Sequence, residues 1–251
     1  MSALTDQQLE RYARHIVLKE IGGAGQARLT DAKVAVVGAG GLGSPLLQYL
    51  VAAGVGYLTV IDDDEVDLSN LQRQVLHGTA DIGMAKTASA KAALKRLNAE
   101  VRVEARNERL TPENAAELLG GHDVVADGSD SFATRGAVAD AALALRIPLV
   151  SAAVGPFEGQ LSVFRGWEAD QPCWRCFVGD TADRAEESCA ERGILGAVAG
   201  IVGSMQALEV VRTIVPFGKG LSGRVLFYDA RGPTMRNVRL RKDPKCPACV
   251  H

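Results

Sequence analysis

The stretch that most constrains this chain is a short apolar run, Val34-Ala35-Val36-Val37, that passes without a break into Gly38-Ala39-Gly40-Gly41-Leu42-Gly43. An all-apolar strand is buried on both faces, and the glycine spacing fits a tight turn from that strand into a helix. Gly38 permits the turn, Gly40 with Gly41 lets an anion approach the backbone, and Gly43 lets helix and strand pack closely. The helix predicted over 43–53 puts its positive N-terminal end at the same place. The strand predicted over 57–61 ends at Asp62, a carboxylate placed to accept ribose hydroxyls. NAD and ATP are served equally by these features. No G-x-x-x-x-G-K-[ST] motif occurs, which excludes a P-loop.

The same alternation continues along the chain. Helical composition over 85–97 is followed by strand-like alternation over 101–106, and Thr111-Pro112 is a helix opening with a good cap. A strand over 123–126, a helix over 132–145 and a strand over 148–154 complete a β-α-β-α order. That order predicts an α/β fold, a Rossmann-like doubly wound and mainly parallel sheet. Past Gly155 the rhythm changes, and 160–164 and 224–228 read as strands antiparallel to each other. The chain of 251 residues is expected to be a single domain with three parts: an N-terminal helical segment (1–30), a nucleotide-binding half (31–155) and an antiparallel extension (156–251). In the first part, Thr5 and Gln8 form a capping box for a helix running to about Leu18. Arg11, Arg14, His15 and Lys19 lie near one face of it, which spacing alone reads as a solvated basic face.

Composition excludes several classes. With 28 Lys+Arg against 30 Asp+Glu the net charge is −2, so no global basic field exists to hold nucleic acid. The most apolar stretch, 194–215, is interrupted by Gln206, Glu209 and Arg212, and its unbroken part is shorter than the about 20 residues a membrane span needs. It is read as a buried helix at or near a subunit contact, with no membrane partner. The first residues lack the basic-then-apolar layout of a secretory leader, so a cytoplasmic protein is expected.

Further residues tip the balance between the two nucleotides. Ser69-Asn70-Leu71-Gln72-Arg73-Gln74 follows the Asp62 strand, Lys86 opens the next helix, and Asp127-Gly128-Ser129-Asp130 follows the 123–126 strand. In a parallel sheet these strand ends share one rim. A triphosphate normally needs basic side chains and magnesium, so two cations and a second carboxylate at that rim fit Mg-ATP better than NAD. Each residue alone reads as ordinary surface; their joint placement is the signal.

The five cysteines divide unevenly. Cys173 with Cys176 and Cys246 with Cys249 are two C-x-x-C pairs, which together supply four thiolates for a tetrahedral structural zinc site. A redox pair, two buried pairs or an iron–sulfur cluster remain the other readings. Cys189, in the charged tract 179–192, is unpaired and is either a thiol of use in catalysis or a non-essential one.

Taken together, Arg11-Tyr12-Ala13-Arg14-His15, the glycine run, Asp62 with Asp64 and Val66, Ser69 to Gln74, and Asp127 to Asp130 resemble the MoeB/ThiF family, the bacterial relatives of ubiquitin-activating enzymes. The resemblance runs from about Leu9 to Cys249 and is closest to the molybdopterin-synthase adenylyltransferase (MoeB) branch. It implies an enzyme that uses Mg-ATP to adenylylate the C-terminal Gly-Gly carboxylate of a ubiquitin-like sulfur carrier, releasing pyrophosphate. Carried onto this chain, the resemblance gives Asp62 the ribose and sets Asn70, Arg73 and Lys86, with Gln74 beside them, around the phosphates. Asp130 positions magnesium, and Arg14 reaches the triphosphate from the other subunit of a homodimer. Ser131 departs from the Asn that many relatives carry there. In the thiamine branch a cysteine matching Cys189 takes part in sulfur or acyl transfer. The same activation for thiamine biosynthesis is therefore the alternative; an NAD-dependent oxidoreductase or a silent carrier-binding scaffold accounts for fewer of the residues.

Overall fold

The structure is a computed structural model that describes residues 3–179 and 193–249. Its centre is an eight-stranded sheet in the order β3-β2-β1-β4-β5-β6-β7-β8. The first five strands, β1 (Lys33–Val37), β2 (Tyr57–Ile61), β3 (Arg102–Arg106), β4 (Val124–Asp127) and β5 (Leu149–Val154), are parallel. The last three, β6 (Glu158–Phe164), β7 (Arg224–Asp229) and β8 (Thr234–Arg239), continue it antiparallel. The predicted doubly wound sheet with an antiparallel extension is the observed one.

Alternation along β1 explains the two layers. Val34 and Val36 face a core with Leu46, Leu47 and Leu50 of α4 (Gly43–Ala52), Leu94 of α5 (Lys86–Leu97) and Val202 and Val210 of α9 (Gly196–Ile214). Ala35 and Val37 face the other core, with Leu119 of α6 (Ala115–Leu119), Val138 of α7 (Phe132–Ala144) and Trp174 of α8 (Trp174–Val178). A strand with period two and apolar residues at its last four positions is thus covered on both sides.

Helix α9 is long and apolar enough to cross a membrane by length and composition. In this fold two of its polar residues are tied into the core. Gln206 donates to the carbonyls of Asp127 and Val150 at 2.8 and 3.0 Å, and Glu209 accepts from the Leu221 N–H at 3.0 Å.

Two local expectations are corrected and one element is added. The predicted N-terminal helix has its capping box between Thr5 and Gln8, but breaks at Tyr12 into α1 (Asp6–Arg11) and α2 (Ala13–Ile16), ahead of α3 (Gly22–Asp31). The Tyr12 ring is drawn into the core, where its hydroxyl accepts a hydrogen bond from the buried Asn98 amide at 2.9 Å. The helix expected at Thr111-Pro112 begins instead at Ala115, because Asn114 accepts the Thr111 N–H and donates to the Arg109 carbonyl, closing a turn first. Strand β8 was not foreseen: all six of its residues are exposed, so no buried face marks it in the sequence.

Candidate active site

The crevice lies outside the carboxyl ends of β1 and β4, where the chain order reverses across the sheet, the usual ligand position in such folds. It encloses about 420 Å³, and Gly38, Gly40, Gly41, Asp62, Arg73, Gln74, Lys86 and Asp130 all line it. Gly38 has φ of 94°, and a Cβ there would press on the Gly128 backbone at 3.1 Å. A Cβ on Gly43 would fall 2.0 Å from the Gly38 carbonyl oxygen, so both positions require glycine.

Asp62 closes the loop from below. Its carboxylate accepts the Ala39 N–H at 2.7 Å and the Asp64 N–H at 2.9 Å. Burial pushes its pKa above the usual carboxylate value, and the Lys86 charge partly offsets that. Lys86 is only 5% exposed, and its ammonium pairs with Asp64 at 2.7 Å. Arg73 is half-buried and fixed by a hydrogen bond to the Ser69 carbonyl at 3.1 Å. Gln74 is buried, and its Oε1 has no protein donor among the described residues, an acceptor left for a ligand.

Asp130 stands exposed at the lip. The loop carrying it is shaped by Asp127, which is 1% exposed and accepts from the Ser129 N–H and hydroxyl at 3.0 and 2.7 Å. Burial raises the Asp127 pKa, with Arg135 opposing. The Arg135 guanidinium in turn donates to the Ser129 carbonyl.

Three candidates lie outside this lining, the first being Gly43, which packs against the Gly38 carbonyl. The Asn70 side chain turns away to accept the Asp67 N–H at 3.3 Å, capping the short 3-10 turn Leu68–Asn70 that leads to Arg73. Arg14 is exposed on α2.

Sequence reasoning passed over Arg109, Arg135 and His77. Arg135 had a signal, since it is the only charged residue in the first six of α7 yet sits on its buried side. Arg109, paired with Asp63 at 2.9 Å, follows an edge strand and had none. His77 carries no motif, and its place under the glycine loop appears only in three dimensions.

A second centre lies at the other end of the sheet. The sulfurs of Cys173, Cys176, Cys246 and Cys249 all lie within 4.8 Å of one another. Neighbouring pairs are separated by 3.8, 3.6 and 3.5 Å. A tetrahedral ion with metal–sulfur bonds of about 2.3 Å would set its sulfurs ~3.8 Å apart, so the donor set fits. The Asp243 N–H also donates to Cys176 Sγ at 3.4 Å, a contact that suits a thiolate. Without an ion, burial pushes the Cys173 thiol up and that of Cys249 up to about 11. Cys189 lies outside the described residues.

A model described as the ThiF family matches residues 12–248. The chain belongs to the ThiF family. It is 47% identical over 249 residues to a sulfur carrier protein adenylyltransferase of Thermus thermophilus, a match covering 98% of this chain and 92% of that protein. It is 49% identical over 250 residues to an adenylyltransferase and sulfurtransferase, MOCS3, of Bos taurus. That match covers 99% of this chain and 54% of the bovine protein, so this ThiF chain spans about half of that relative. The crystal structure of E. coli MccB with ATP superposes with a TM-score of 0.81 at 20% identity, covering 95% of this chain and 74% of that one, which speaks to the fold alone.

Proposed function

We propose that this protein is an ATP-dependent adenylyltransferase whose substrate is the C-terminal Gly-Gly carboxylate of a small ubiquitin-fold sulfur carrier. The observation that carries the reading is the set of four cations, Arg73, Lys86, Arg109 and Arg135, lining one crevice with the glycine loop, Asp62 and Asp130. A dinucleotide pyrophosphate can be satisfied largely by a helix N-terminus; a triphosphate approached by an anionic tail needs more positive charge. The kinship to a protein named a sulfur carrier protein adenylyltransferase supports the carrier class. An NAD-dependent oxidoreductase would leave Arg73, Lys86 and Asp130 without a task.

In this reading Asp62 accepts the ribose hydroxyls, Gly38 and Gly43 let the loop turn and pack, and Gly40 and Gly41 let the phosphates approach the backbone. The carrier carboxylate attacks the α-phosphate, forming one P–O bond as the bond to pyrophosphate breaks. Arg73 and Lys86 lower the repulsion between tail and phosphate and stabilise the departing pyrophosphate. Gln74 offers its buried amide oxygen to the nucleotide, and Asn70 holds the turn from which Arg73 projects. Asp130 holds magnesium, which supplies charge neutralisation on the phosphates. Arg14 of a second copy adds a further cation, which makes the working unit a homodimer.

We assign zinc to Cys173, Cys176, Cys246 and Cys249. Four protein ligands leave no open position, so this metal is structural. The thiolates must stay reduced, which suits the cytoplasm. Residues 1–251 form one ThiF-type domain with the divisions 1–30, 31–155 and 156–251. Molybdopterin cofactor biosynthesis is the pathway we assign; the thiamine carrier is the second reading, and Cys189 remains its candidate thiol. ATP–pyrophosphate exchange with each Gly-Gly carrier, tested alone at saturating Mg-ATP, checks both levels. Exchange with one carrier identifies the pathway; no carrier-dependent exchange with any of them overturns the adenylyltransferase reading.

A further inference from the structure

Ala39 lies at the bend of the glycine loop, and both of its backbone polar groups are held from beneath. Its N–H donates to Asp62 at 2.7 Å, and its carbonyl oxygen lies 2.9 Å from His77 Nε2. A carbonyl only accepts, so Nε2 carries the hydrogen and donates it. His77 itself is buried and is braced from the far side, where Nδ1 lies 2.8 Å from Ser89 Oγ and Ser89 Oγ lies 2.9 Å from Asp81 Oδ2. Asp81 Oδ2 also accepts the Gly78 N–H at 2.8 Å, which anchors the brace to the backbone.

Peptide planarity carries this hold one residue further. The Ala39 carbonyl and the Gly40 N–H share one trans peptide, in which they point in opposite directions. Fixing the carbonyl against His77 therefore turns the Gly40 N–H away from His77. Gly40 lines the crevice, and among the described residues its N–H makes no hydrogen bond. A free, fixed N–H at such a place is a donor for an anion.

We propose that His77 is a positioning residue: by holding the Ala39 carbonyl it aims the Gly40 N–H at the phosphate chain of the bound nucleotide. The proposal rests on reading this crevice as an ATP site. It assigns no proton transfer to His77, and the donor it needs is present whether the ring is neutral or charged.

The test compares ATP and adenosine binding by calorimetry for the full chain, as wild type, His77→Phe and His77→Gln. Phenylalanine fills the space without a donor, whereas glutamine can present an amide N–H near the Nε2 position. Loss of one hydrogen bond to a charged group predicts roughly a 10- to 100-fold weaker ATP complex for His77→Phe. Adenosine, which lacks phosphates, is expected to bind all three proteins alike, and His77→Gln to stay near wild type for ATP. Equal weakening of ATP and adenosine, or unchanged ATP binding by a folded His77→Phe, overturns the proposal; so does a folded His77→Gln that behaves like His77→Phe. Should the phenylalanine variant fail to fold, the wild-type Gly40 amide resonance decides. Its shift on titration with inorganic pyrophosphate supports the proposal, and a Gly40 amide that does not respond overturns it. A wild type that binds no ATP overturns the nucleotide reading and this proposal with it, whereas normal ATP binding with no His77 effect overturns this proposal alone.

Discussion

The crevice and the cysteine cluster meet the problem of buried charge in opposite ways. In the crevice the protein supplies its own partners: Asp62 is answered by two backbone N–H groups, Lys86 by Asp64, and Asp127 by Ser129. The loop, the cations and the carboxylates are therefore in place before any ligand arrives, which is the preorganisation an electrostatic catalyst needs. In the cluster, sulfurs face sulfurs, and burial raises the thiols of Cys173 and Cys249. In the proposed zinc site a cation would reconcile the four sulfurs, and that region would take part of its stability from outside the chain. On the proposed reading one region is built to act on a ligand and the other to be held together by one.

Substitutions should separate the two regions cleanly. The largest effect is expected for Asp130→Ala, which should lower carrier-dependent exchange by about 1,000-fold or more while moving stability by less than ~0.5 kcal/mol, because Asp130 is exposed. Exchange assays and denaturant melts on the same preparation check this; normal exchange removes Asp130 from the reaction. Conversely, Cys246→Ser should abolish stoichiometric zinc and cost on the order of 3–5 kcal/mol of stability. Metal analysis with thermal melts measures it, and freshly purified wild type without zinc contradicts the four-cysteine assignment.

Two smaller effects sharpen the contrast. Burial holds the His77 pKa below its ordinary value of 6.5. The folded state then binds fewer protons than the unfolded one, so the stability due to neutral His77 is present above about pH 6.5 and is lost as pH falls towards the folded pKa. Wild type should lose stability as pH falls through that range, and His77→Gln should lose less, as read from urea melts between pH 5 and 7.5. The smallest effect belongs to the cysteine side. Arg175 binds Asp140 through two contacts, at 2.8 and 2.6 Å, tying the Cys173–Cys176 turn to α7. Both side chains are partly exposed, so Arg175→Ala should cost roughly 0.5–1 kcal/mol and leave exchange unchanged. A loss of exchange there would show that the two regions are coupled.

What could be read from the sequence follows the range of the forces involved. The glycine run, the apolar strand before it and the two C-x-x-C turns are local: a few consecutive residues fix a turn or a pair of ligands, and the pattern carries its own meaning. The ends of β1, β2 and β4 could be brought to one rim because parallel strands share a direction, and Asp62, Arg73, Lys86 and Asp130 do meet there. Long-range pairings stayed hidden. Tyr12 breaks its helix for the sake of Asn98, 86 residues away, and His77 reaches Ala39 across 38. Strand β8 pairs with β7 through its backbone while exposing every side chain, so hydropathy gave no trace of it.

The central claim is that this crevice adenylylates a C-terminal carboxylate. The intact mass of the carrier after brief incubation with the protein and Mg-ATP tests it most directly, with quenching in acid to preserve the mixed anhydride. The account predicts a gain of one adenylate on the carrier ending in Gly-Gly and none on the same carrier lacking its last glycine. An unmodified carrier in the presence of bound Mg-ATP, or equal labelling of the truncated carrier, would contradict it.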